Sequence, residues 1–243
     1  MKNPYGKLSK TLALVVSTMA LASGAFAATV TLTLNSSSNG NGLGGGSYTA
    51  SGSGLSTSGY APISQLAANT FETFCLEYSE FFTSGTPYNF SMSNAATLGG
   101  GGAVAGQDPL SFGTAWLYSQ FAQGSLAGYN YGGGRQASNN DLQLAIWFFE
   151  DETASISGYG SYGTGSGNSF LNAAVAQFGS VAGAKANANG SFGVSVLNIT
   201  GVNGTHKQSQ LYVSVPDSGA TVVLLGLALA GLVGMKRRFA RAA

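Results

Sequence analysis

Residues 192–215 read "FGVSVLNITGVNGTHKQSQLYVSV". Phe192–Thr200 and Gln208–Val215 alternate in polarity, the period of two that marks half-buried strands. Between them stands Asn203-Gly204, a pair that tolerates the positive φ angles of a tight hairpin turn. This end of the chain is therefore expected to be a β-hairpin. The other end agrees with it. In Ala28–Ser36, "ATVTLTLNS", Val30, Leu32 and Leu34 alternate with Thr29, Thr31 and Thr33, again a strand.

The middle of the chain is read differently. Ser37–Gly59 is rich in Ser, Gly and Asn and suits a long loop or a light hairpin. Phe71–Phe82 is rich in aromatics, suits one or two strands, and holds Cys75, the single cysteine. A helix is expected from Asp108 as N-cap with Pro109 at N1, burying Leu110, Leu117 and Phe121 and stopping at Gly124. A second is expected after Ser138, with Asp141 completing an approximate capping box. Its Leu142, Ala145, Ile146 and Phe149 share one face at i, i+3, i+4, i+7. Asn168 is placed to cap a third, running to about Val181. No fixed-period repeat occurs, which excludes solenoids and propellers. The expected fold is α+β and β-rich. It is a single sandwich-like or barrel-like ectodomain with a helical insertion, plus a C-terminal transmembrane helix.

Both ends look like export signals. Lys2, Lys7 and Lys10 precede the apolar run Thr11–Phe26, and Ala25-Phe26-Ala27 satisfies the small-residue cleavage rule. Residues 1–27 are therefore read as a signal peptide, 28–214 as the exported ectodomain and 215–243 as a sorting tail. In the tail, Val215-Pro216-Asp217-Ser218-Gly219 leads into Ala220–Met235, which carries no charge. Sixteen residues rise about 24 Å as a helix, slightly less than a bilayer core of about 30 Å. Lys236, Arg237 and Arg238 follow as a topology stop, which the positive-inside rule keeps cytoplasmic. This order of motif, apolar span and basic stop resembles the VPDSG variant of PEP-CTERM sorting tails. The resemblance implies processing by an exosortase, a membrane-embedded transpeptidase, and delivery to the cell surface or extracellular matrix. The protein is then membrane-anchored before processing.

Charge narrows the partners. Of ten basic residues, three fall in the signal and four in the tail, whereas eight of nine acidic residues lie in the body, so its net charge is −5. That excludes nucleic acid, which wants a basic surface, and disfavours anionic lipid. Charged residues are only 8% of the chain and glycines number 37, a composition suited to exported β-rich or matrix proteins.

Few residues offer chemistry. His206 is the lone histidine, so a zinc site is excluded and a Cys75–His206 pair is disfavoured against a solvated turn histidine. Glu150-Asp151-Glu152 suits a solvated face better than calcium. Gly132-Gly133-Gly134-Arg135 lacks the rest of a phosphate loop. Glu77 and Glu80, three apart on an expected strand, would face opposite sides, a poor acid/base pair. No cofactor, metal or enzymatic activity is expected.

Cys75 and Gln143 are the remaining candidates. Phe74-Cys75-Leu76 and Gln143-Leu144-Ala145-Ile146-Trp147 together resemble the thioester domains of Gram-positive surface adhesins, with Leu142 where that family usually has Thr. The resemblance implies a thioester between the Cys75 sulfur and the Gln143 side chain. It would react with an amine on a host or neighbouring surface. The residues also allow a plainer reading. Cys75 is then a small core hydrophobe, and Gln143 satisfies a backbone group. In that case the protein binds matrix polysaccharide or similar material without covalent chemistry.

Overall fold

The computed structural model describes residues 28–34, 46–64, 66–97, 103, 105–156 and 158–214. The expected signal peptide, 1–27, and the expected sorting tail, 215–243, lie outside them. Six strands form one antiparallel sheet: β1 (Thr29–Leu34), β2 (Ser47–Gly52), β3 (Phe71–Phe74), β4 (Pro87–Ser93), β7 (Val194–Thr200) and β8 (His206–Val213). Their order across the sheet is β3-β2-β1-β4-β7-β8. The edges of this sheet meet. Just past β3, Cys75 forms an antiparallel bridge with Gln210 of β8, and the Leu76 N–H donates to the Ser209 carbonyl at 3.1 Å. The Thr73 hydroxyl adds a bond to the Leu211 carbonyl at 2.6 Å. The sheet thus closes into a barrel-like wall with a seam at Cys75. Closure removes the exposed edges that otherwise invite aggregation.

A short ribbon, β5 (Ala95–Thr97) with β6 (Gln107–Pro109), leads into the helices α1 (Phe112–Ala122), α2 (Gln136–Phe149), α3 (Ser169–Phe178) and α4 (Val181–Lys185). The helices cover one face of the wall. There Leu117, Phe121, Leu142, Ile146, Leu171 and Val196 are among the residues of a common core. The other face encloses a second core with Val30, Leu32, Phe71, Cys75, Trp147 and Tyr212. The alternation read in β8 explains the division: Leu211 and Val213 face the helices, and Tyr212 faces the inner core. Within the inner core α2 supplies Leu144 and Trp147, while its Leu142, Ala145, Ile146 and Phe149 serve the helical core.

Several expectations hold. The expected N-terminal strand is present as Thr29–Leu34, and the hairpin across Asn203-Gly204 and the apolar face of α2 are present as well. Asn168 caps α3, its side chain accepting from the N–H groups of Phe170 and Leu171. Gly179 then ends that helix at φ 75°, and a separate short helix, α4, follows.

Other expectations are corrected. Asp108-Pro109 belongs to β6, paired with Ala95-Ala96, and α1 begins three residues later with Ser111 as its cap. A local capping preference yields there to strand pairing. Helix α2 starts at Gln136, not after Ser138, and has no side-chain cap. The Ser138 hydroxyl instead accepts from the Asn130 N–H. Of the one or two strands expected over Phe71–Phe82, one is present, β3, and it ends at Phe74 with a single further bridge from Cys75 to β8. Ser47–Gly52 is a strand, and Pro87–Ser93, absent from the sequence reading, joins β1 to β7. Among the described residues no helix is long and apolar enough to cross a membrane. The expected transmembrane helix, Ala220–Met235, lies outside them.

Candidate functional site

Cys75 is fully buried at the seam of the wall. Its backbone explains how. In the bridge with Gln210 the flanking bond is made by Leu76, so the N–H and C=O of Cys75 turn away from β8. The Gln143 carboxamide meets them. Gln143 Oε1 accepts from the Cys75 N–H at 3.0 Å, and Gln143 Nε2 donates to the Cys75 carbonyl at 2.8 Å. One side chain from α2 acts as the missing neighbouring strand. The two residues singled out in the sequence therefore touch, but Gln143 bonds the main chain and spends both polar atoms doing so.

The sulfur has other neighbours. Cys75 Sγ–H donates to Gln208 Oε1 at 3.0 Å, and Gln210 Nε2 lies 3.5 Å from Sγ on the donating side. Gln208 and Gln210 are two apart on β8, so both point to the inner core with Tyr212. Their environments differ. Gln208 is satisfied at both ends, since its Nε2 donates to the Glu77 carbonyl at 2.6 Å. Gln210 is not: its buried Oε1 has no hydrogen-bond partner. An unpaired buried carbonyl is costly and uncommon, which singles out the Gln210 carboxamide. The signal for these residues was present in "QSQLYV", where two amides share the face of a strand that is otherwise core.

Carboxyl groups stand beside the seam. Glu77 is buried, and its Oε2 accepts from the Ser209 N–H at 2.8 Å, while Oε1 has no partner. Burial pushes its pKa up to about 8, helped by the charge of Glu80 and opposed by the Ser209 bonds. The two carboxylates expected on opposite faces of a strand thus influence one another, because the segment after Cys75 is not a strand. Burial likewise raises the Cys75 thiol to about 12, against the bond from Gln210 and the Gly46 N–H, with Glu77 adding to the rise. The sulfur is a protonated thiol at neutral pH.

The solvated face expected of Glu150-Asp151-Glu152 holds for Asp151 alone. Glu150 and Glu152 are buried, not solvated. Glu150 Oε1 accepts from the Ser111 hydroxyl at 2.6 Å and tethers the start of α1, and burial raises its pKa to about 7. Glu152 Oε2 accepts from the Tyr78 N–H at 2.9 Å and pins the segment that follows Cys75. The Tyr78 ring meets Trp147 edge-on at 5.2 Å over the same region. Arg135, after the glycine run, is buried in an ion pair with Glu72 at 3.0 Å. His206 is exposed at the start of β8. No group of three or more metal-ligating side chains occurs among the described residues.

The tail supplies a likeness to a known family. Residues 214–239 match the VPDSG-CTERM motif. They include Val215, Pro216, Asp217, Ser218, Gly219 and the basic stop. The motif supports an exported, surface-sorted protein processed by an exosortase. No curated protein and no solved structure matches the chain.

Proposed function

We propose that the chain is an exosortase-sorted attachment protein, and not an enzyme, whose ectodomain forms an internal thioester between Cys75 and Gln210. The observation that carries this reading is the setting of the sulfur. It lies 3.5 Å from the amide nitrogen of a buried carboxamide whose oxygen is unpaired. The acyl carbon is one bond from that nitrogen. In the step, the Sγ–Cδ bond forms and the Cδ–Nε2 bond breaks. The amide nitrogen leaves as ammonia with the thiol proton. Closure of the wall excludes water, which protects such an ester from hydrolysis. Gln143 then has a different role from the one its motif suggests: it holds the main chain of Cys75 so that the sulfur faces β8. An amine of a neighbouring surface or matrix is the acceptor, and the thiol is released when the amide forms.

A second reading is favoured by the full burial of Cys75 and its high thiol pKa, which also describe an inert core residue. On that reading the protein is a non-covalent structural or binding component of the matrix, with polysaccharide as its partner. Intact mass separates the two. A thioester makes the exported ectodomain lighter by one ammonia, and Cys75→Ala or Gln210→Ala removes the deficit. A full-mass ectodomain with one titratable thiol after unfolding establishes the second reading.

A further inference from the structure

Four aromatic side chains gather where the chain leaves the fold. Phe112 and Trp116 lie one turn apart on α1, Phe178 ends α3, and Phe192 sits in the 3-10 turn Ser191–Gly193 before β7. Phe112 stacks on Phe178 with ring centroids 5.3 Å apart. Trp116 meets Phe178 edge-on at 6.4 Å, and Phe192 meets Phe178 at 6.2 Å and Phe112 at 6.4 Å. The first three rings are partly exposed, and Phe192 is 40% exposed.

Phe192 is unusual in its backbone as well. It holds φ 62° and ψ 10°, a left-handed conformation that is unfavourable for a bulky residue. A large ring is thus kept in water on a strained main chain, and its burial against the rest of the patch is incomplete. Within a free ectodomain neither feature is favourable.

The position of the tail suggests what completes the burial. The Ser214 N–H donates to the carbonyl of Gly193 at 3.1 Å, so the last described residue is bonded to the neighbour of Phe192. The uncharged run of the tail begins at Ala220, six residues further on. At roughly 3.3–3.6 Å per residue, that stretch reaches at most about 22 Å. If the run enters a bilayer, the patch is tethered within about that distance of the membrane surface.

We propose that in the unprocessed precursor the Phe112–Trp116–Phe178–Phe192 patch rests in the headgroup interface of the bilayer that holds the tail. The proposal rests on the reading of Ala220–Met235 as a membrane span. Tryptophan and other aromatic rings favour this interface, where an apolar face can be buried while polar edges stay wet. Attraction to anionic lipid plays no part, because the body is acidic, so docking is expected on neutral lipid and is insensitive to salt. Docking would fix the ectodomain's orientation beside the Val215–Gly219 motif while it awaits the exosortase, and removal of the tail would release it.

The experiment uses the full chain in neutral phosphatidylcholine vesicles whose acyl chains are brominated near the headgroup. The chain has two tryptophans, and Trp147 is buried in the inner core. Flotation with the vesicles and loss of Trp116 emission are expected. Trp116→Phe should leave only the unquenched emission of Trp147. Phe192→Asn suits the left-handed backbone, so it keeps the fold and is expected to weaken the quenching. A protein that floats with Trp116 unquenched overturns the docking and leaves the span reading intact. Trp116 emission that responds to protein density and not to brominated lipid assigns the patch to a second copy and also overturns it. A chain that does not float overturns the span reading and the docking with it.

Discussion

Gln143 and Cys75 are joined through the main chain: both polar atoms of the Gln143 carboxamide are spent on the N–H and C=O of Cys75, at 3.0 and 2.8 Å. The sulfur faces Gln208 and Gln210 instead. This geometry separates two glutamine substitutions. Gln143→Ala leaves two buried backbone groups unpaired and should cost about 2–4 kcal/mol. For a domain of this size that lowers Tm by roughly 2–4 °C per kcal/mol. The folded fraction of this variant should keep the one-ammonia mass deficit. Gln210→Ala removes a carbonyl that has no partner, so it should destabilise less and yet abolish the deficit. Paired thermal melts and intact masses check both, and a deficit that survives Gln210→Ala removes this residue from the chemistry.

Acidity should stabilise the ectodomain. Folding raises the Glu77 carboxyl to about 8, through burial first and then the charge of Glu80. Burial does the same for Glu150, to about 7, and for Asp108, to about 6. A raised carboxyl pKa means that the folded state binds the proton more tightly than the unfolded chain. The stabilisation is complete below the ordinary carboxylate range and is lost as pH rises through the folded value. Stability should therefore fall from about pH 4 to about pH 8. Glu77 alone contributes on the order of 5 kcal/mol, at about 1.4 kcal/mol per pKa unit over the rise from its ordinary value to about 8. Urea denaturation across that range measures the slope, and Glu77→Gln should flatten its upper part.

The buried pair of Arg135 and Glu72 should be intolerant of single changes. Glu72 also accepts from Asn139 Nδ2 at 3.0 Å, and Arg135 Nη1 donates to the Ser64 carbonyl at 2.9 Å. Removing either partner strands a charge away from water, at a cost of about 3–5 kcal/mol. Arg135→Met and Glu72→Leu together should recover part of the loss in denaturant titrations. A double variant as unstable as the sum of the singles would contradict this.

Gly113 in α1 should resist a substitution that helix propensity favours. Alanine in place of glycine usually gains about 1 kcal/mol within a helix. A Cβ at Gly113, however, would lie 2.7 Å from the ring of Phe149 on α2. Overpacking of this kind costs about 1–3 kcal/mol, so the net sign is destabilising. Gly113→Ala should lower Tm, and Phe149→Leu in the same chain should lessen the loss.

The strands at Ala28–Ser36 and the Asn203-Gly204 hairpin were legible because their residues alternate over several positions, a signal that local sequence carries whole. The α2 face was legible for the same reason. Helix starts were not: Asp108-Pro109 has the local signature of a cap, but pairing with Ala95-Ala96 outweighs it. The candidate site was half legible. "FCLE" and "LQLAIW" single out Cys75 and Gln143, which meet through the Cys75 main chain. Neither shows which atoms meet, because that depends on the direction in which Cys75's backbone groups point at the seam.

By itself the sequence determined the sorting motif and the materials: a VPDSG tail, an acidic body, one thiol and several amides. These are covalent or compositional properties, and folding does not alter them. Tertiary structure alone decided how they act on one another. Closure of the sheet at Cys75↔Gln210 turns the thiol inward, and burial raises its pKa and that of Glu77. The physical reason is that residues 68 to 135 positions apart meet only in the folded chain, and no local pattern encodes that register.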